Sequence, residues 1–547
     1  MMSSAGFPYL SILTALPLVG ALVVGLMPRS RPALAKQAAL VFSLAVLGLL
    51  VAMWLAFEPG GNRFQFRESY TWIPTWDARL TFAVDGISLV MIALIAVLVP
   101  LVVLHSWNEA QGEAGDPARR SVPAYFALLL ALESTMIGVF AAADVFLFYA
   151  FFEVMLVPMY FLIGSYGGVR RQYAAVKFFL YSLVGGLFML AAVVGLWVLG
   201  GHTFDWETLV SADFSTMAER WLFLGFFVAF AIKAPFFPFH TWLPDAGGAA
   251  PAGAGALLVG VLDKVGTFGI LRYCLPLFPE ASHYFAPLGL ALALVGIVYA
   301  ALLAVGQNDL KRLVAYTSVA HFGFIGIGVF AFTTTAGAGA VLYMVNHGLA
   351  TGLLFLVVGM FVTRRGSALV GDFGGAGRLV PVLAGVFLIA GLASLALPGT
   401  APFVSEFLVL LGTFTANKTV AIVATAGIVL AAAYVLWMVQ RTIHGRPNEE
   451  MAGVRAMRKD LSLRESVVVA PLIALLLIFG VYPKPLLDVI NPAVAATLSD
   501  LGTAPGPAAS GLRSAGSDAT GATREDGAQG AGPARAERAP RNTEVGK

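Results

Sequence analysis

The sequence predicts an all-α polytopic membrane protein with about 14 transmembrane helices. Of its 547 residues, 59% are hydrophobic and only 12% are charged, whereas a typical soluble domain has about 25% charged residues. A soluble protein this apolar could not cover its surface with polar side chains. The apolar runs also repeatedly reach about 20 residues, the length that crosses a bilayer as a helix.

Apolar windows between charged or Gly/Pro-rich loops define the predicted spans. The first seven are expected near residues 7–27, 33–57, 84–105, 122–142, 145–164, 173–199 and 219–240. The other seven are expected near 250–275, 284–305, 312–332, 336–362, 379–414, 418–441 and 464–482. The first span has neither a basic n-region nor a small-residue cleavage site, so we expect it to be retained rather than removed as a signal peptide.

The distribution of Lys and Arg predicts the orientation in the membrane. Loops after odd-numbered spans contain 19 of these residues, whereas loops after even-numbered spans contain only 7. The seven are Arg63, Arg67, Arg79, Arg220, Arg272, Lys418 and Lys484. The positive-inside rule therefore places the odd loops in the cytoplasm and both termini on the outer, periplasmic side. The small net charge of +3 fits topology signals better than a nucleic-acid surface, so no nucleic-acid partner is expected.

Ionisable residues near the middle of the spans are the candidate functional groups. A charge at the centre of a membrane helix costs roughly 2.5–3.5 kcal/mol, so several of them require pairing or function. The set is Glu133, Glu153, Lys233, Lys264, His321, His347 and Glu406. One such residue alone is explained equally well as architecture. A set of acids, bases and imidazoles at similar depth favours a proton relay, because burial penalises the charged form of both acids and bases.

Three other residues bear on the chemistry. Asp263 directly precedes Lys264, and it either pairs with that lysine or points to another helix face, since adjacent residues do not share a face. Lys177 opens a span, and we expect its side chain to snorkel to the cytoplasmic interface. Cys274 is the only cysteine, so neither a disulfide framework nor a cysteine-ligated cluster can come from this chain alone. No metal site is predicted.

An internal echo predicts an inverted repeat. Ala-Pro-Phe occurs at 234–236 and at 401–403, an offset of 167 residues, and an Asp opens a span at 144 and again at 309, an offset of 165. The offset covers five helices, spans 4–8 against spans 9–13, and an odd number inverts the second copy. The prolines predict that spans 7 and 12 are broken, with room at the exposed helix ends for water and an ion.

The chain is expected to divide into five segments. These are residues 1–121 with the first three spans, 122–275 with the first five-helix repeat, 276–441 with the second repeat, 442–498 with a cytoplasmic loop and span 14, and 499–547 as a disordered tail. The tail is rich in Gly, Ala, Pro and mixed charge and has no aromatic residue, so it cannot bury a core.

Four stretches resemble the antiporter-like proton-pumping subunits of respiratory complex I and their relatives in multisubunit Na+/H+ antiporters. They are VDGISL (84–89), FYAFFEVMLVPMYFLIG (148–164), KAPFFPFHTWLPDA (233–246) and NDLKRLVAYTSVAHFGFI (308–325). The resemblance covers nearly all of residues 80–445. Glu406 stands where subunits L and N resemble each other in carrying lysine. The sequence also ends after its fourteenth predicted span, without the long lateral helix expected of subunit L.

The resemblance implies a role for the residues of the first half. Glu153 and Lys233 would form the switching acid–base pair, and Lys264 would be the central relay. Glu133 would be a secondary candidate. His240 lies in the matched motif, where a capping role at the broken helix and a role in proton transfer are equally consistent with the pattern.

It also implies roles for the second half and for the partners. His321 and His347 would link the halves through water, and Glu406 would be the terminal proton site toward the periplasm. No cofactor is expected in this chain, and NADH, FMN, iron–sulfur clusters and quinone are expected in partner subunits. The expected neighbours are L-like and N-like membrane subunits and the lipid bilayer of the bacterial plasma membrane. Asp263 departs from the pattern, which has an apolar residue there.

The implied function is that of a proton-translocating membrane-arm subunit of NADH–quinone oxidoreductase. One alternative is a subunit of a multisubunit Na+/H+ antiporter, which has no redox coupling; Glu406 argues against it. The other alternative is a purely structural membrane scaffold.

Overall fold

The computed structural model describes residues 6–109, 121–447 and 449–503, and it is mostly helical. Most of the predicted tail, from residue 504 onward, lies outside the described residues, as does most of the loop predicted between spans 3 and 4. The first part comprises α1 (Tyr9–Gly25), α2 (Pro32–Ala56), β1 (Gln65–Ile73), β2 (Ala78–Val84), α3 (Gly86–His105), α4 (Val122–Ala141), α5 (Val145–Val154), α6 (Leu156–Tyr166), α7 (Arg171–Leu199), α8 (Trp206–Val210), α9 (Thr216–Lys233) and α10 (Trp242–Ala249).

The second part begins with a span in which α-helical and π-helical turns alternate. The elements are α11 (Ala252–Leu257), α12 (Lys264–Gly269), α13 (Leu275–Leu277), α14 (Pro279–Val305), α15 (Leu310–Phe330), α16 (Thr334–Arg365), α17 (Pro381–Ser394), α18 (Ala401–Ala416), α19 (Lys418–Ile443), α20 (Glu449–Gly453), α21 (Leu463–Val481) and α22 (Lys484–Asp500). Two π-helical turns, Leu258–Leu262 and Ile270–Cys274, separate α11, α12 and α13.

Eleven helical segments in the described ranges are long and apolar enough to cross a membrane, and they match predicted spans 2–6, 8–11, 13 and 14. The three remaining predicted spans are shorter, more charged or divided into two helices. α1 has only 17 residues, α9 carries Glu219, Arg220 and Lys233, and span 12 is divided between α17 and α18. The polytopic helical fold is confirmed, and the count of fourteen spans stays a prediction.

Prolines account for the broken helices. α9 ends at Lys233, and an irregular segment with prolines at 235 and 238 leads to α10, because proline lacks the N–H that continues a helix. In the second break, α18 restarts with Pro402 in its first turn, where the missing N–H is tolerated. The sequence predicts span 5 as continuous, but it is interrupted at Met155. Pro158 lies four residues after Val154, whose carbonyl its ring would meet in a regular helix.

Matching contacts in the two halves support the predicted repeat. Asp144 and Asp309 each cap a helix by accepting the N–H three residues later, at 2.9 and 3.0 Å. In each copy the following residue donates its N–H to a distant loop, to the carbonyl of Phe204 in the first and of Ala368 in the second, both at 2.9 Å. The same local structure therefore recurs about 165 residues later, while the exact segment boundaries stay a prediction.

Two elements lie outside the sequence-based expectations. β1 and β2 form an antiparallel hairpin within a predicted loop, and its turn places Asp77 in the left-handed region. α22 packs against α3 and α16 and extends to Asp500, beyond the predicted start of the tail. Gly86 permits this packing, because a Cβ there would lie 1.9 Å from the carbonyl oxygen of Val489.

Candidate functional site

The eight predicted site residues all lie in described segments. Seven of them are buried, and Glu153 is half-buried. The helices that carry them pack together around the two broken helices, with α12 against α9 and α16 against α15 and α18. Six of the eight are linked by successive contacts or electrostatic interactions, partly through neighbouring residues. We call this series the line; its members are Glu153, Lys233, Lys264, His321, His347 and Glu406. Among the described residues, Glu133 and His240 have no hydrogen bond or ring contact with it.

Lys233 is the last residue of α9, and its side chain is fully buried. A cation is favoured at this end of a helix, where the last carbonyls concentrate negative charge. The ammonium lies over the rings of Phe152 and Phe178, 5.1 and 5.6 Å from their centroids. It has no hydrogen-bond partner among the described residues. Two aromatic faces and the helix end therefore contribute to stabilising its charge.

Glu153 lies just before the interruption between α5 and α6. Its carboxylate and the Lys233 ammonium interact electrostatically. Within the described parts of the chain, however, neither Glu153 Oε1 nor Lys233 Nζ has a hydrogen-bond partner. Gly186 of α7 makes room for the carboxylate, because a Cβ there would lie 1.6 Å from Oε1. The structure thus brings the predicted acid and base near each other, but no hydrogen bond joins Glu153 Oε1 to the Lys233 ammonium. We call these two residues the open pair.

Lys264 forms a buried ion pair with its neighbour in sequence. Its Nζ lies 3.0 Å from Asp263 Oδ1, and both side chains are 0% exposed. The ammonium also donates to the carbonyl of Val259, which belongs to the preceding π-helical turn. The sequence left open whether Asp263 pairs with Lys264 or points elsewhere, and the structure pairs them.

The two imidazoles lie next to this central lysine. Lys264 Nζ is 5.2 Å from the ring centroid of Phe322, and that ring is 5.6 Å from the ring of His347. His321 and His347 meet edge to face, with centroids 5.2 Å apart. Both ring nitrogens of His347 lack a hydrogen-bond partner in the described ranges. They are therefore available to water or to a proton donor.

Glu406 ends the line, on the helix that follows the second break. Tyr343 donates a hydrogen bond from its hydroxyl to Glu406 Oε2 at 2.9 Å. The hydroxyl of Tyr434 lies 3.2 Å from His321 Nε2 and interacts electrostatically with Glu406. Tyr343 precedes His347 by one helical turn on α16, which places both side chains on the same helix face. Two tyrosines therefore join the imidazoles to the terminal acid.

The sequence did not identify these tyrosines. Tyr343 and Tyr434 are fully buried, and a buried tyrosine needs a hydrogen-bond partner for its hydroxyl. The one-turn spacing between Tyr343 and His347 is a signal that could have found the first. Nothing in the sequence pairs Tyr434 with His321, because the two belong to different helices, 113 residues apart.

Glu133 and His240 are not joined to the line. Both carboxylate oxygens of Glu133 lack a hydrogen-bond partner in the part of the chain described. His240 lies in the segment between α9 and α10, with its ring 5.3 Å from that of Tyr299 and 6.0 Å from that of Phe237. Their suggested roles stay predictions.

Lys177 is paired rather than simply extended toward the interface. Its Nζ lies 2.7 Å from Asp245 Oδ2, and Arg312 pairs with the other carboxylate oxygen. Burial would raise the pKa of Asp245, but the hydrogen bonds from these two cations outweigh it and hold the pKa below its usual value. Because Lys177 and Arg312 belong to different predicted repeats, Asp245 connects the repeats near the first broken helix.

Arg272 corrects one assignment from the sequence, which placed it in a loop. It lies inside the eighth span, 6% exposed, and pairs with Asp85 at 2.6 Å. Its guanidinium lies over the rings of Phe64, Phe268 and Trp206. An arginine near a span end is therefore not a reliable topology signal when a buried acid faces it. Among the residues described, no group of His, Cys, Asp and Glu is arranged to hold a metal ion.

Comparison with known proteins places this arrangement in a family. A family model described as NADH:quinone oxidoreductase/Mrp antiporter, TM, matches residues 142–431. NADH-quinone oxidoreductase subunit M of Mycobacterium tuberculosis is 46% identical over 530 residues, which cover 90% of this chain and 95% of that protein. Subunit M of Rhodobacter capsulatus is 39% identical over 515 residues, covering 90% of this chain and 98% of that one.

A solved structure agrees with this placement. One chain of respiratory complex I from Thermus thermophilus with bound NADH superimposes with a TM-score of 0.81 at 32% identity. The match covers 90% of this chain and 100% of that chain. The resemblance predicted from the motifs is confirmed. The chain belongs to the NADH:quinone oxidoreductase/Mrp antiporter transmembrane family, among the relatives of subunit M.

Proposed function

We propose that this chain is a proton-translocating membrane-arm subunit of a bacterial NADH–quinone oxidoreductase. The observation that carries the proposal is the line of buried acids, bases and imidazoles that joins the two broken helices, from Glu153 to Glu406. Its relatives from two bacteria bear the name NADH-quinone oxidoreductase subunit M and match almost the whole chain.

The first step of transfer would take place at the open pair. An approach of Glu153 stabilises the Lys233 ammonium, and its withdrawal favours release of the proton, because an opposite charge favours the charged form. The proton would then pass to the Lys264 region, on to the two imidazoles, and through water to Glu406, which accepts a hydrogen bond from Tyr343. The aromatic contacts of Lys233 leave its long stem free to move, since no hydrogen bond fixes the ammonium in the described structure.

The driving force would come from other subunits. Moving one charge against 100 mV costs about 2.3 kcal/mol, and proton exchange among buried side chains supplies no net energy. We assign NADH, FMN, iron–sulfur clusters and quinone to partner subunits and no redox centre to this chain, which has one cysteine. L-like and N-like membrane subunits would be its neighbours. The loop charges favour cytoplasmic odd loops and periplasmic termini.

The Na+/H+ antiporter alternative belongs to the same family. Glu406 favours the first proposal, because an acid stands here where many antiporter subunits resemble subunits L and N in carrying lysine. The hydrogen bond that Glu406 accepts from Tyr343 also stabilises an acid at this position. Co-purification separates the two: flavin and iron–sulfur absorption that purifies with this chain supports the oxidoreductase, and a complex without either chromophore supports the antiporter.

Lys233→Ala tests proton transfer against the scaffold alternative. We expect the assembled complex to lose the NADH-driven acidification of inverted membrane vesicles that depends on this subunit, because alanine cannot carry a proton in place of the Lys233 ammonium. Lys418→Ala is the matched control, since this exposed lysine also lies over one aromatic ring, 5.8 Å from the centroid of Phe414, and it should pump normally. Undiminished acidification by the assembled Lys233→Ala complex would support the scaffold.

A further inference from the structure

The central lysine of the line has a carboxylate that its family pattern does not predict. Asp263 and Lys264 are adjacent in sequence, fully buried, and joined at 3.0 Å. Only one carboxylate oxygen takes part, and Oδ2 has no hydrogen-bond partner among the described residues. A carboxylate with one free oxygen beside an ammonium can still accept a second proton donor.

The pair lies between the two halves of the line. Gly266, three residues after Asp263, packs on the end of α9, since a Cβ there would lie 2.5 Å from the backbone nitrogen of Ala234. Lys233, the residue before Ala234, interacts electrostatically with Asp263. On the other side, Lys264 lies over Phe322 of α15, next to the imidazoles. Two neighbouring residues thus face different halves of the protein.

A purely structural ion pair does not explain this arrangement. A structural pair contributes by holding two elements together, whereas this one joins consecutive residues of one span. Burying both charges carries a desolvation penalty that the attraction between them often fails to offset. The preceding π-helical turn provides the Val259 carbonyl that holds the ammonium against the carboxylate, and such turns are frequent at functional sites.

We infer that Asp263 carries protons between Lys233 and Lys264, a role that rests on the proton-transfer function proposed above. In the first step the Lys233 ammonium gives its proton through intervening water to the Asp263 carboxylate, because no hydrogen bond joins the two groups in the described structure. This leaves an amine and a carboxylic acid. In the second step, after the Lys264 ammonium has passed its own proton on toward the imidazoles, the Asp263 carboxyl group rotates and gives its proton to the Lys264 amine, which restores the ammonium and the carboxylate. One proton has moved from Lys233 to Lys264, and Asp263 returns to its starting form.

Asp263→Asn is the direct test, because it keeps the shape and removes the proton-accepting oxygen. In the assembled complex we expect NADH-driven acidification of inverted vesicles to fall about tenfold or more, given that groups in proton transfer typically contribute about 100- to 10,000-fold to their step. Asp263→Glu restores a carboxylate that is displaced by one methylene, and it should recover only part of the rate. Asp488→Asn is the matched control, since it removes an exposed carboxylate paired with a lysine, and it should leave pumping unchanged.

The outcomes separate this inference from the proposed function. If Lys233→Ala abolishes acidification while assembled Asp263→Asn stays within about twofold of the wild type, the carrier role is wrong and the proposed function stands. If the wild-type complex itself does not acidify vesicles, the proposed function fails first.

Should Asp263→Asn fail to assemble, Asp263→Glu decides. If Asp263 carries protons, displacing its carboxylate by one methylene makes proton transfer rate-limiting. The ratio of the acidification rates in H2O and D2O should then be larger for Asp263→Glu than for the wild type. An unchanged ratio overturns the role.

Discussion

The two broken helices hold their charged groups in opposite ways. At the first break, Lys233 is surrounded by aromatic rings and lacks a hydrogen-bond partner among the described residues. At the second break, Glu406 accepts a hydrogen bond from Tyr343 and lies close to the Tyr434–His321 contact. The same backbone device thus supports a loosely held cation in one half and a hydrogen-bonded acid in the other. Under the proposed function, this difference fits switching at the first break and conduction at the second.

The largest expected effect is at the open pair. We expect Lys233→Ala and Glu153→Gln each to lower the NADH-driven acidification that depends on this subunit about 100-fold, because each removes one member of a pair that acts only as a unit. The double variant should be no slower than the worse single variant, since removing the second member of an already broken pair changes nothing further. Acidification rates at equal amounts of assembled complex measure this. Effects that multiply in the double variant would show that the two residues act independently.

The second expected effect separates Glu406 from its hydrogen bond. Glu406→Gln should lower acidification about tenfold or more, because an amide cannot carry a proton. Tyr343→Phe removes only the hydroxyl, whose hydrogen bond to a charged group contributes about 1.5–3 kcal/mol, and its effect should be the smaller of the two. Equal losses in both variants would mean that the tyrosine hydroxyl itself is obligatory in the path.

A third effect comes from the space beside Glu153. Gly186→Ala adds a Cβ that would lie 1.6 Å from Glu153 Oε1, so the carboxylate must move. We expect the acidification rate to fall several-fold while assembly is retained, because the end of a glutamate side chain can move away. Gly48→Ala makes the same chemical change where no other atom lies within 4 Å. If the two variants pump alike, the observed position of Glu153 is not required.

The smallest expected effect is at Glu133. It is fully buried and has no hydrogen-bond partner in the described ranges, so no hydrogen bond links it to the line. We therefore expect Glu133→Gln to change acidification by no more than about twofold. A loss comparable to that of Glu153→Gln would extend the proton path into α4, where the structure shows no link.

Much of the fold could be predicted because the bilayer limits the choice of structures. Apolar length identified the spans, and prolines identified the breaks at 233 and 401. The hairpin was missed because β1 and β2 lie in a charged loop between spans. α22 was missed because Lys484, Asp488 and the internal Pro492 interrupt its apolar residues, so it does not form a membrane-length apolar window.

The sequence could predict individual site residues but not the contacts between them. A charge in an apolar run is visible in the sequence, and so Lys233, Lys264 and Glu406 were found. Their connections depend on which helices meet, and that is set by tertiary packing. The tyrosines illustrate this limit, since the contact between Tyr434 and His321 depends on the packing of two different helices.

The central claim is that the two halves form one path, and a comparison of Lys233→Ala, Glu406→Gln and their double variant tests it most directly. The measurement is the initial rate of NADH-driven acidification by inverted vesicles that contain equal amounts of assembled complex. A single path predicts that each variant alone removes most of the acidification that depends on this subunit, and that the double variant is no slower than the slower single variant. Two independent paths would leave either single variant with about half of that contribution, and this result would contradict the account.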